Sequence, residues 1–312
     1  MFGLLKKTAA SKGRIGIALG RDQVALAIVR RDAGEPVLER CELLSVPAGG
    51  GPEEVAETLR SAALPRLPVS VVLRGDDYHL SLVEAPDVPP AELRAAMRWR
   101  LKDAINFRVE DAVIDVFDVP PQNRGTQGRM MYAVAARRST IERTAVALSS
   151  LPAFDVVDVP ELCLRNLAAL TPAAAGGVAV LHLSDTGATV VLVRGTTFFF
   201  ARQMSIESTL RMSADGEVGG RLDAATVALE LQRSLDYYER HFDQPPITRI
   251  AVSPPNQRAV DLAVDLGRET GLEVATLDLS ALLKCELAID AATQTGCLLA
   301  VGAALREERR TL

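Results

Sequence analysis

Residues 178–203 read VAVLHLSDTGATVVLVRGTTFFFARQ. Three apolar runs in this stretch are rich in β-branched and aromatic residues, and residues that favour tight turns separate them. The runs are residues 178–184, 189–194 and 197–203, and the turns are Asp185-Thr186-Gly187 and Gly195. The stretch therefore predicts a meander of three adjacent strands.

A helix and a short strand are predicted to follow this meander. Apolar residues at spacings of 4, 4, 3 and 4 form one stripe with the period of an α-helix. These residues are Val227, Leu231, Leu235, Tyr238 and Phe242. The apolar run at 250–252 predicts the closing strand.

The first half of the chain predicts the same elements in the same order. The predicted strands are residues 14–20, 24–30, 37–46 and 69–73, and a helix at 52–63 precedes the last of them. The repeat is one of element order and not of residues. We therefore expect an α/β protein that uses one structural unit twice.

Residues 84–150 interrupt the first unit with a pattern of their own. A helix at 91–106, strands at 113–119 and 130–136, and a helix at 139–149 predict a small inserted subdomain. A strand at 154–159, a helix at 161–170 and a last helix at 296–309 are also predicted. The predicted division is 1–14 as a flexible basic N-terminus, 15–83 plus 151–176 as the first half, 84–150 as the insertion and 177–312 as the second half.

The composition is that of a globular protein. Of 312 residues, 48% are hydrophobic and 24% are charged. With 35 basic and 40 acidic residues the net charge is −5, which argues against nucleic acid as the main partner. The four cysteines are scattered through apolar stretches, which predicts buried free thiols in a reducing compartment.

The sequence also predicts a cytoplasmic protein without a catalytic centre of a familiar type. No apolar run approaches the roughly 20 residues that span a bilayer, and residues 1–7 have too short an apolar stretch for a signal peptide. Residues 1–14 carry four positive charges and no acid, which fits either a frayed tail or weak contact with an anionic membrane surface. The three histidines are too dispersed for a metal site, and no known catalytic motif is present.

Several segments resemble those of the PilM family of pilus assembly proteins. They are 1–7 (MFGLLKK) followed by 15–17 (IGI), 92–99 (ELRAAMRW), 230–238 (ELQRSLDYY) and 299–306 (LAVGAALR). Their order, with the repeated unit and its insertion, resembles the actin-like ATPase fold, in which two RNase H-like halves carry an inserted α/β subdomain of the FtsA/PilM type. Within this family the chain is most similar to the divergent MshI branch of mannose-sensitive hemagglutinin (MSHA) pilus biogenesis, because of the nucleotide-site residues that it lacks.

The resemblance implies a scaffold rather than an enzyme. PilM-like proteins are cytoplasmic components of type IV pilus and type II secretion assembly platforms, and they hold the tail of a PilN-like single-span inner-membrane protein. The tail lies between the insertion and the first half. For this chain the resemblance implies the same partner, membership of a pilus assembly complex, a peripheral position at the inner membrane and no required cofactor.

The resemblance also implies where ATP and Mg²⁺ would bind, which is between the two halves. Backbone N–H groups of two hairpin turns would approach phosphate where side chains are small, and a carboxylate would position Mg²⁺. The candidate nucleotide-binding residues are Gly20, Arg21, Asp185, Thr186, Gly187 and Ser253.

These candidates depart from the family pattern. The first turn has no acid near Ala18, where one is expected. Asp185 matches the family's letters, but strand length puts His182 at the position of the acid, so Asp185 is either a magnesium-positioning residue or a hairpin residue. Residues 252–256 read VSPPN where paired glycines are expected, and prolines offer no N–H. A degenerate nucleotide site is predicted, with retained ATP binding as the alternative.

One face of the insertion helix is the candidate partner surface. A core-facing stripe recurs every four residues at Leu93, Met97, Leu101 and Ile105. A basic ladder runs beside the stripe, and Trp99 projects to the opposite side, where an aromatic residue near cations is a good binding anchor. The candidate residues are Arg94, Arg98, Trp99 and Lys102. The alternatives are a solvated basic face and a Trp99 that packs on the neighbouring subdomain.

Residues 198–200 are three consecutive phenylalanines on one predicted strand. Strand alternation predicts Phe198 and Phe200 on one face and Phe199 on the other. Core filling on both faces is the expectation, and a partner patch is the alternative.

Two rival functions remain open from the sequence. The first is an ATPase or small-molecule kinase of the same fold, which needs a carboxylate beside the phosphates. The second is a polymer-forming cytoskeletal protein. The expected function is the pilus assembly scaffold.

Overall fold

The computed structural model describes residues 13–122, 128–151, 154–184, 187–205, 223–286 and 288–307. In chain order the elements are β1 Gly13–Leu19, β2 Gln23–Asp32, β3 Glu35–Ser45, α1 Pro52–Ser61, β4 Val69–Val72, β5 Tyr78–Glu84, α2 Leu93–Leu101, β6 Ala112–Asp118, β7 Met130–Arg137, α3 Arg138–Ala147, β8 Phe154–Asp158, α4 Pro160–Ala168, β9 Val178–Leu183, β10 Gly187–Arg194, β11 Thr197–Ser205, α5 Ala224–His241, β12 Arg249–Ser253, α6 Gln257–Thr270, β13 Glu273–Thr276, α7 Leu279–Leu282, β14 Lys284–Cys285 and α8 Ala291–Ala304. None of the described helices is long and apolar enough to cross a membrane.

The two larger sheets repeat one strand order. The first has the order β14-β3-β2-β1-β4-β8, and the second has the order β11-β10-β9-β12-β13. In the first sheet β1 pairs antiparallel with β2 and parallel with β4, and in the second β9 pairs in the same way with β10 and β12. The predicted use of one structural unit twice is confirmed.

Helices α4 and α8 join the two halves, because each packs on the sheet of the other half. Helix α8 follows the second sheet along the chain but packs on β1, β2, β3 and β4 of the first. Helix α4 follows the first sheet and packs on β9, β10 and β11 of the second, and the two helices contact each other. One hydrophobic cluster therefore contains residues of both halves.

A third sheet of order β5-β7-β6 forms the inserted part. Helix α2 covers one face through the predicted stripe, whose Met97 and Leu101 are fully buried. The other face contacts the second half, where the ring of Tyr132 packs edge-on against Phe198 with centroids 5.4 Å apart. The Tyr132 hydroxyl accepts from the Ala201 N–H at 2.9 Å and lies 3.2 Å from the Ala201 carbonyl oxygen.

The limits of the third sheet differ from the predicted limits of the insertion. Strand β5 pairs with β7 from Tyr78 onward, so this sheet starts before residue 84. Helix α3, in contrast, packs on α1, and the following Leu148 lies in the core of the first half. A strand belongs to the sheet with which it forms backbone hydrogen bonds. The order of elements in the sequence does not show which strand will be its partner.

Two predicted helices have different ends. Helix α2 stops at Leu101 and not at residue 106, because the chain turns there and the N–H groups of Ala104 and Ile105 both bond to the Leu101 carbonyl. Helix α8 starts at Ala291 and not at residue 296, because the Asp290 carboxylate caps it by accepting from the Thr293 N–H at 2.7 Å. Strands β5, β13 and β14 and helices α6 and α7 were not predicted from the sequence.

The three consecutive phenylalanines are all buried, as expected for core filling. The predicted alternation of these three side chains is wrong, however, because a β-bulge interrupts the pairing of β10 with β11. Leu192 lies opposite Phe200 and Val193 opposite Phe198, which leaves Phe199 as the extra residue. Phe199 and Phe200 consequently join one cluster, and Phe198 joins the other.

Candidate functional site

The residues predicted to hold a nucleotide lie in different places. Gly20 and Arg21, in the turn after β1, line a groove of about 330 Å³. Gly187, at the start of β10, lines a separate cavity of about 350 Å³ between the halves, called here the cleft cavity. Ser253 is fully buried at the end of β12 and lines neither space. Asp185 and Thr186 lie outside the described residues.

The cleft cavity has walls from both halves. The loop after β4 contributes Arg74, whose guanidinium donates to Asp76 at 3.0 Å. The second half contributes His182, Gly187 and Gln203. Arg74 also lines the groove, so it stands between the two spaces.

His182 presents a neutral imidazole at the cleft cavity. Its Nδ1 lies 3.1 Å from the Ser253 hydroxyl, and burial lowers the pKa of His182 to about 4 because desolvation disfavours the charged ring. The ring is therefore uncharged at neutral pH, and it offers no oxygen ligand of the kind that Mg²⁺ prefers. Ser253 lies behind the ring and is fully buried, so the pair does not present a nucleophile to the cavity.

The proline segment after β12 uses its polar groups for the fold. The Ser253 hydroxyl is engaged by His182, and the Asn256 side chain caps α6 by accepting from the Ala259 N–H at 3.0 Å. Pro254 and Pro255 between them carry no N–H donor. Within the described ranges no group of three or more histidine, cysteine, aspartate or glutamate side chains is placed to hold a metal ion.

The groove lies beside the contact of α1 with α3. The turn after β1 and the start of α1 form one wall, and α3 with the loop after β4 forms the other. Apolar side chains and charged side chains both line it. The apolar ones are Leu19, Val46, Val55 and Ala147, and the charged ones are Arg21, Arg74, Asp77 and Arg143. Such a mixture suits a chain segment with an apolar anchor and polar flanks.

Asp77 gives the groove its acidic group. Burial raises the pKa of Asp77, as does the neighbouring Asp76, while Arg74 and Arg143 act in the opposite direction. Arg143 and Arg21 are not part of any ion pair found within the described residues. The groove thus offers cationic groups to a bound segment.

The predicted partner face of α2 is divided between structure and solvent. The Arg94 Nε pairs with Asp115 at 3.1 Å, and the Arg98 guanidinium donates to the carbonyls of Val109 and Ala112. Trp99 is 80% exposed, so the alternative that it packs on a neighbouring subdomain is wrong. Lys102 is exposed beside it. Trp99 and Lys102 are therefore the exposed residues of this face, whereas Arg94 and Arg98 are partly buried.

A buried polar cluster beside the cleft cavity joins helix α4 to the second and third sheets, and no prediction from the sequence identified it. The Glu161 carboxylate at the start of α4 accepts from the Tyr78 hydroxyl at 2.6 Å and from the Gln203 amide at 2.8 Å. Tyr78 belongs to β5 and Gln203 to β11. Burial raises the pKa of Glu161 and raises that of Tyr78 well above its ordinary value. A Pro-Glu pair at a helix start is so common that no sequence signal marked Glu161 as buried.

We expect Glu161→Gln to change how stability depends on pH. A raised carboxyl pKa in the folded state gives stability that is present below the unfolded pKa and is lost as pH rises through the folded pKa. The wild-type protein should therefore lose unfolding free energy relative to Glu161→Gln between about pH 4.5 and about pH 7.5. Urea unfolding at both pH values measures this difference. Glu239→Gln, an exposed change on α5, is the control and should follow the wild-type protein. Equal pH dependence of the unfolding free energy in all three proteins would contradict the prediction.

Solved structures share this fold. A chain of the PilM–PilN type IV pilus biogenesis complex matches with a TM-score of 0.69 and 21% identity, over 95% of this chain and 98% of that chain. A Bacteroides thetaiotaomicron protein with an actin-like ATPase fold and unknown function matches with a TM-score of 0.53 and 8% identity, over 95% and 99% of the two chains. This chain therefore has the actin-like ATPase fold, as the sequence predicted. No protein-family model and no curated protein sequence matches it.

Proposed function

We propose that this chain is a cytoplasmic scaffold of a type IV pilus assembly platform, and that it binds the cytoplasmic tail of a PilN-like inner-membrane protein in the groove. The groove carries the proposal, because it lies between the first half and the helix that follows the third sheet. The similarity in fold to a chain of the PilM–PilN complex supports this choice of partner. An MSHA-like pilus, served by an MshI-type protein, is the finer form of the proposal.

The shape and the chemistry of the groove suit a short extended segment. Its volume of about 330 Å³ lies within the range of ordinary ligand pockets. Buried Ala147 and partly buried Val55 offer an apolar floor, while Arg21 and Arg143 stand at the rim. An apolar side chain of the tail would fill the floor, and the rim would fix its direction by polar contacts.

A degenerate nucleotide site is the second part of the proposal. Gly20 and Arg21 line the groove, whereas Gly187 lines the cleft cavity, so the two predicted phosphate turns do not share one space. The neutral His182 stands where the family's negatively charged acid is expected. The proline segment lacks the backbone N–H donors that a nucleotide would use. We infer a scaffold that requires no cofactor and does not hydrolyse ATP.

The exposed side of α2 is proposed as a further contact within the pilus assembly complex. Trp99 is a large exposed aromatic residue near the end of α2. Lys102 follows it by three positions and caps the same end of the helix. Arg94 and Arg98 hold their charges beside this surface while they bond to Asp115 and to backbone carbonyls. We propose that the protein sits at the inner membrane through its partners, with weak contact of its basic N-terminus with the membrane surface and no binding of nucleic acid.

Calorimetric titration of the full chain with the tail peptide tests the groove. Gly51→Trp should weaken peptide binding by at least about tenfold, because the new side chain would occupy the groove. A Cβ at Gly51 meets only carboxylate oxygens of Glu53 and Glu54 at 3.4 Å, so the variant should still fold. Gly176→Trp is the matched control, since a Cβ there meets nothing within 4 Å. Equal affinity of the wild type and Gly51→Trp would contradict the groove as the binding site.

The same titration with Mg-ATP separates the scaffold from its rivals. The scaffold proposal expects peptide binding without ATP binding and without phosphate release. Micromolar ATP binding with phosphate release would instead support an ATPase or kinase that uses the cleft cavity. Sedimentation of filaments in the presence of nucleotide would support a polymer-forming protein.

A further inference from the structure

One face of helix α3 lines the groove with two threonines, an arginine and an alanine. These residues recur at spacings of three, one and three positions, which places them on one side of the helix. They are Thr140, Arg143, Thr144 and Ala147. Arg143 precedes Ala147 by about one helical turn, so the two backbone positions lie about 6 Å apart along the helix axis.

The opposite wall of the groove also pairs an apolar residue with an arginine. Leu19 ends β1, and Arg21 stands two positions later in the turn. Two residues of extended chain span at most about 7 Å, so the backbone positions of this pair are no further apart than that. Each wall therefore offers an apolar contact with a cationic one close to it.

Arginines outnumber acids among the described residues that line the groove. The arginines are Arg21, Arg74 and Arg143, and the acid is Asp77. Arg74 already pairs with Asp76 at 3.0 Å. Arg21 and Arg143 are exposed, and within the described part of the chain they belong to no ion pair. These two guanidinium groups are therefore available to a bound segment, and a carboxylate matches their geometry.

The start of α1 adds little to this positive charge. The Glu54 carboxylate accepts from the Gly51 N–H at 2.7 Å, so the helix supplies an acid to its own first turn. The cationic character of the groove consequently comes from its arginine side chains.

We propose that the groove selects a peptide segment in which an acidic residue stands two positions from an apolar one, and that Arg21 and Arg143 bind its carboxylate from the two walls. This inference rests on the proposed binding of a tail segment in the groove, and it specifies the chemistry of that segment. Residues two positions apart in an extended chain point to the same side and lie about 6–7 Å apart. That spacing matches the helical turn between Arg143 and Ala147, so the apolar side chain reaches the floor while the carboxylate accepts from the arginines.

Calorimetric titration of the full chain with three synthetic peptides tests the inference. The peptides share one uncharged serine–glycine sequence with blocked ends, and they differ only in a central Leu-Ser-Glu, Leu-Ser-Gln or Leu-Ser-Lys. The glutamate peptide should bind at least about tenfold more tightly than the glutamine peptide, because hydrogen bonds to a charged group are the stronger ones. The lysine peptide should bind most weakly, and added salt should narrow these differences.

Variants of the two arginines show which groups read the acid. Arg143→Met keeps an unbranched side chain but removes the charge, so it should abolish most of the preference for the glutamate peptide, and Arg21→Met should reduce it from the other wall. Arg143→Glu should turn the preference toward the lysine peptide. Arg258→Met is the matched control, since Arg258 is exposed on α6 and does not line the groove, and it should keep the full preference.

Equal affinity of the wild type for the glutamate and glutamine peptides, or no binding of the glutamate peptide, would overturn the inference. A preference that survives in both Arg21→Met and Arg143→Met would overturn the role of these arginines. The proposed function is decided separately by the tail peptide. Binding of that peptide to the wild type but not to Gly51→Trp, without any preference for the acid, would leave the groove as the tail site and remove only the acid selection.

Discussion

Gly16→Ala should destabilise the protein by about 3 kcal/mol or more, although it adds only one methyl group. A Cβ at Gly16 would lie 1.8 Å from the carbonyl oxygen of Ala300 and 2.7 Å from the backbone nitrogen of Ala304. These atoms belong to the backbone of α8, so no side-chain rotation relieves the contact. The helix as a whole would have to move away from β1.

Helix α8 has no room for such a movement. On another side a Cβ at Gly302 would meet the carbonyl oxygen of Cys163 in α4 at 2.6 Å, so α4 lies as close to α8 as β1 does. Chemical denaturation of Gly16→Ala measures the loss against the wild type. Gly176→Ala is the matched control and should change little, because a Cβ there meets nothing within 4 Å. A Gly16→Ala protein as stable as this control would contradict the close packing of β1 and α8.

The repeated unit was predictable because its information is local. Each hairpin of the meanders contains its own turn residues, and the stripe on α5 follows one helical period, so neighbouring residues suffice. The Met97 and Leu101 stripe was predictable for the same reason. Residues 15–17 resemble a family segment, but only the structure shows that Gly16 lets the backbone of α8 lie against β1.

The site was much less predictable because its parts come from distant segments. Gly20 and Arg21 were expected to face Gly187 across one nucleotide, yet the fold places them opposite α3 in the groove. The contact of Tyr78, Glu161 and Gln203 depends on two sheets meeting at one carboxylate of helix α4. Strand β14 joins the first sheet although it follows the second, and two residues of strand carry too little pattern to predict that.

Arg306→Met should cost about 3–5 kcal/mol, because it leaves a buried carboxylate without its cation. Arg306 follows α8, and its guanidinium donates to Asp158 at 2.8 Å, where the two side chains are 16% and 1% exposed. The pair thus ties the end of α8 to the end of β8. Chemical denaturation measures the loss, and Arg249→Met is the control, since its ion pair with Glu273 is exposed and should contribute less than about 1 kcal/mol.

A second substitution separates the loss of the pair from the burial of its remaining charge. Asp158→Asn keeps the side-chain oxygen that accepts from the Val159 N–H at 3.0 Å, but it removes the negative charge. The double variant Asp158→Asn/Arg306→Met should therefore be more stable than Arg306→Met alone, since no uncompensated charge stays in the core. If the double variant is the less stable of the two, the uncompensated charge of Asp158 is not the main cost of losing Arg306.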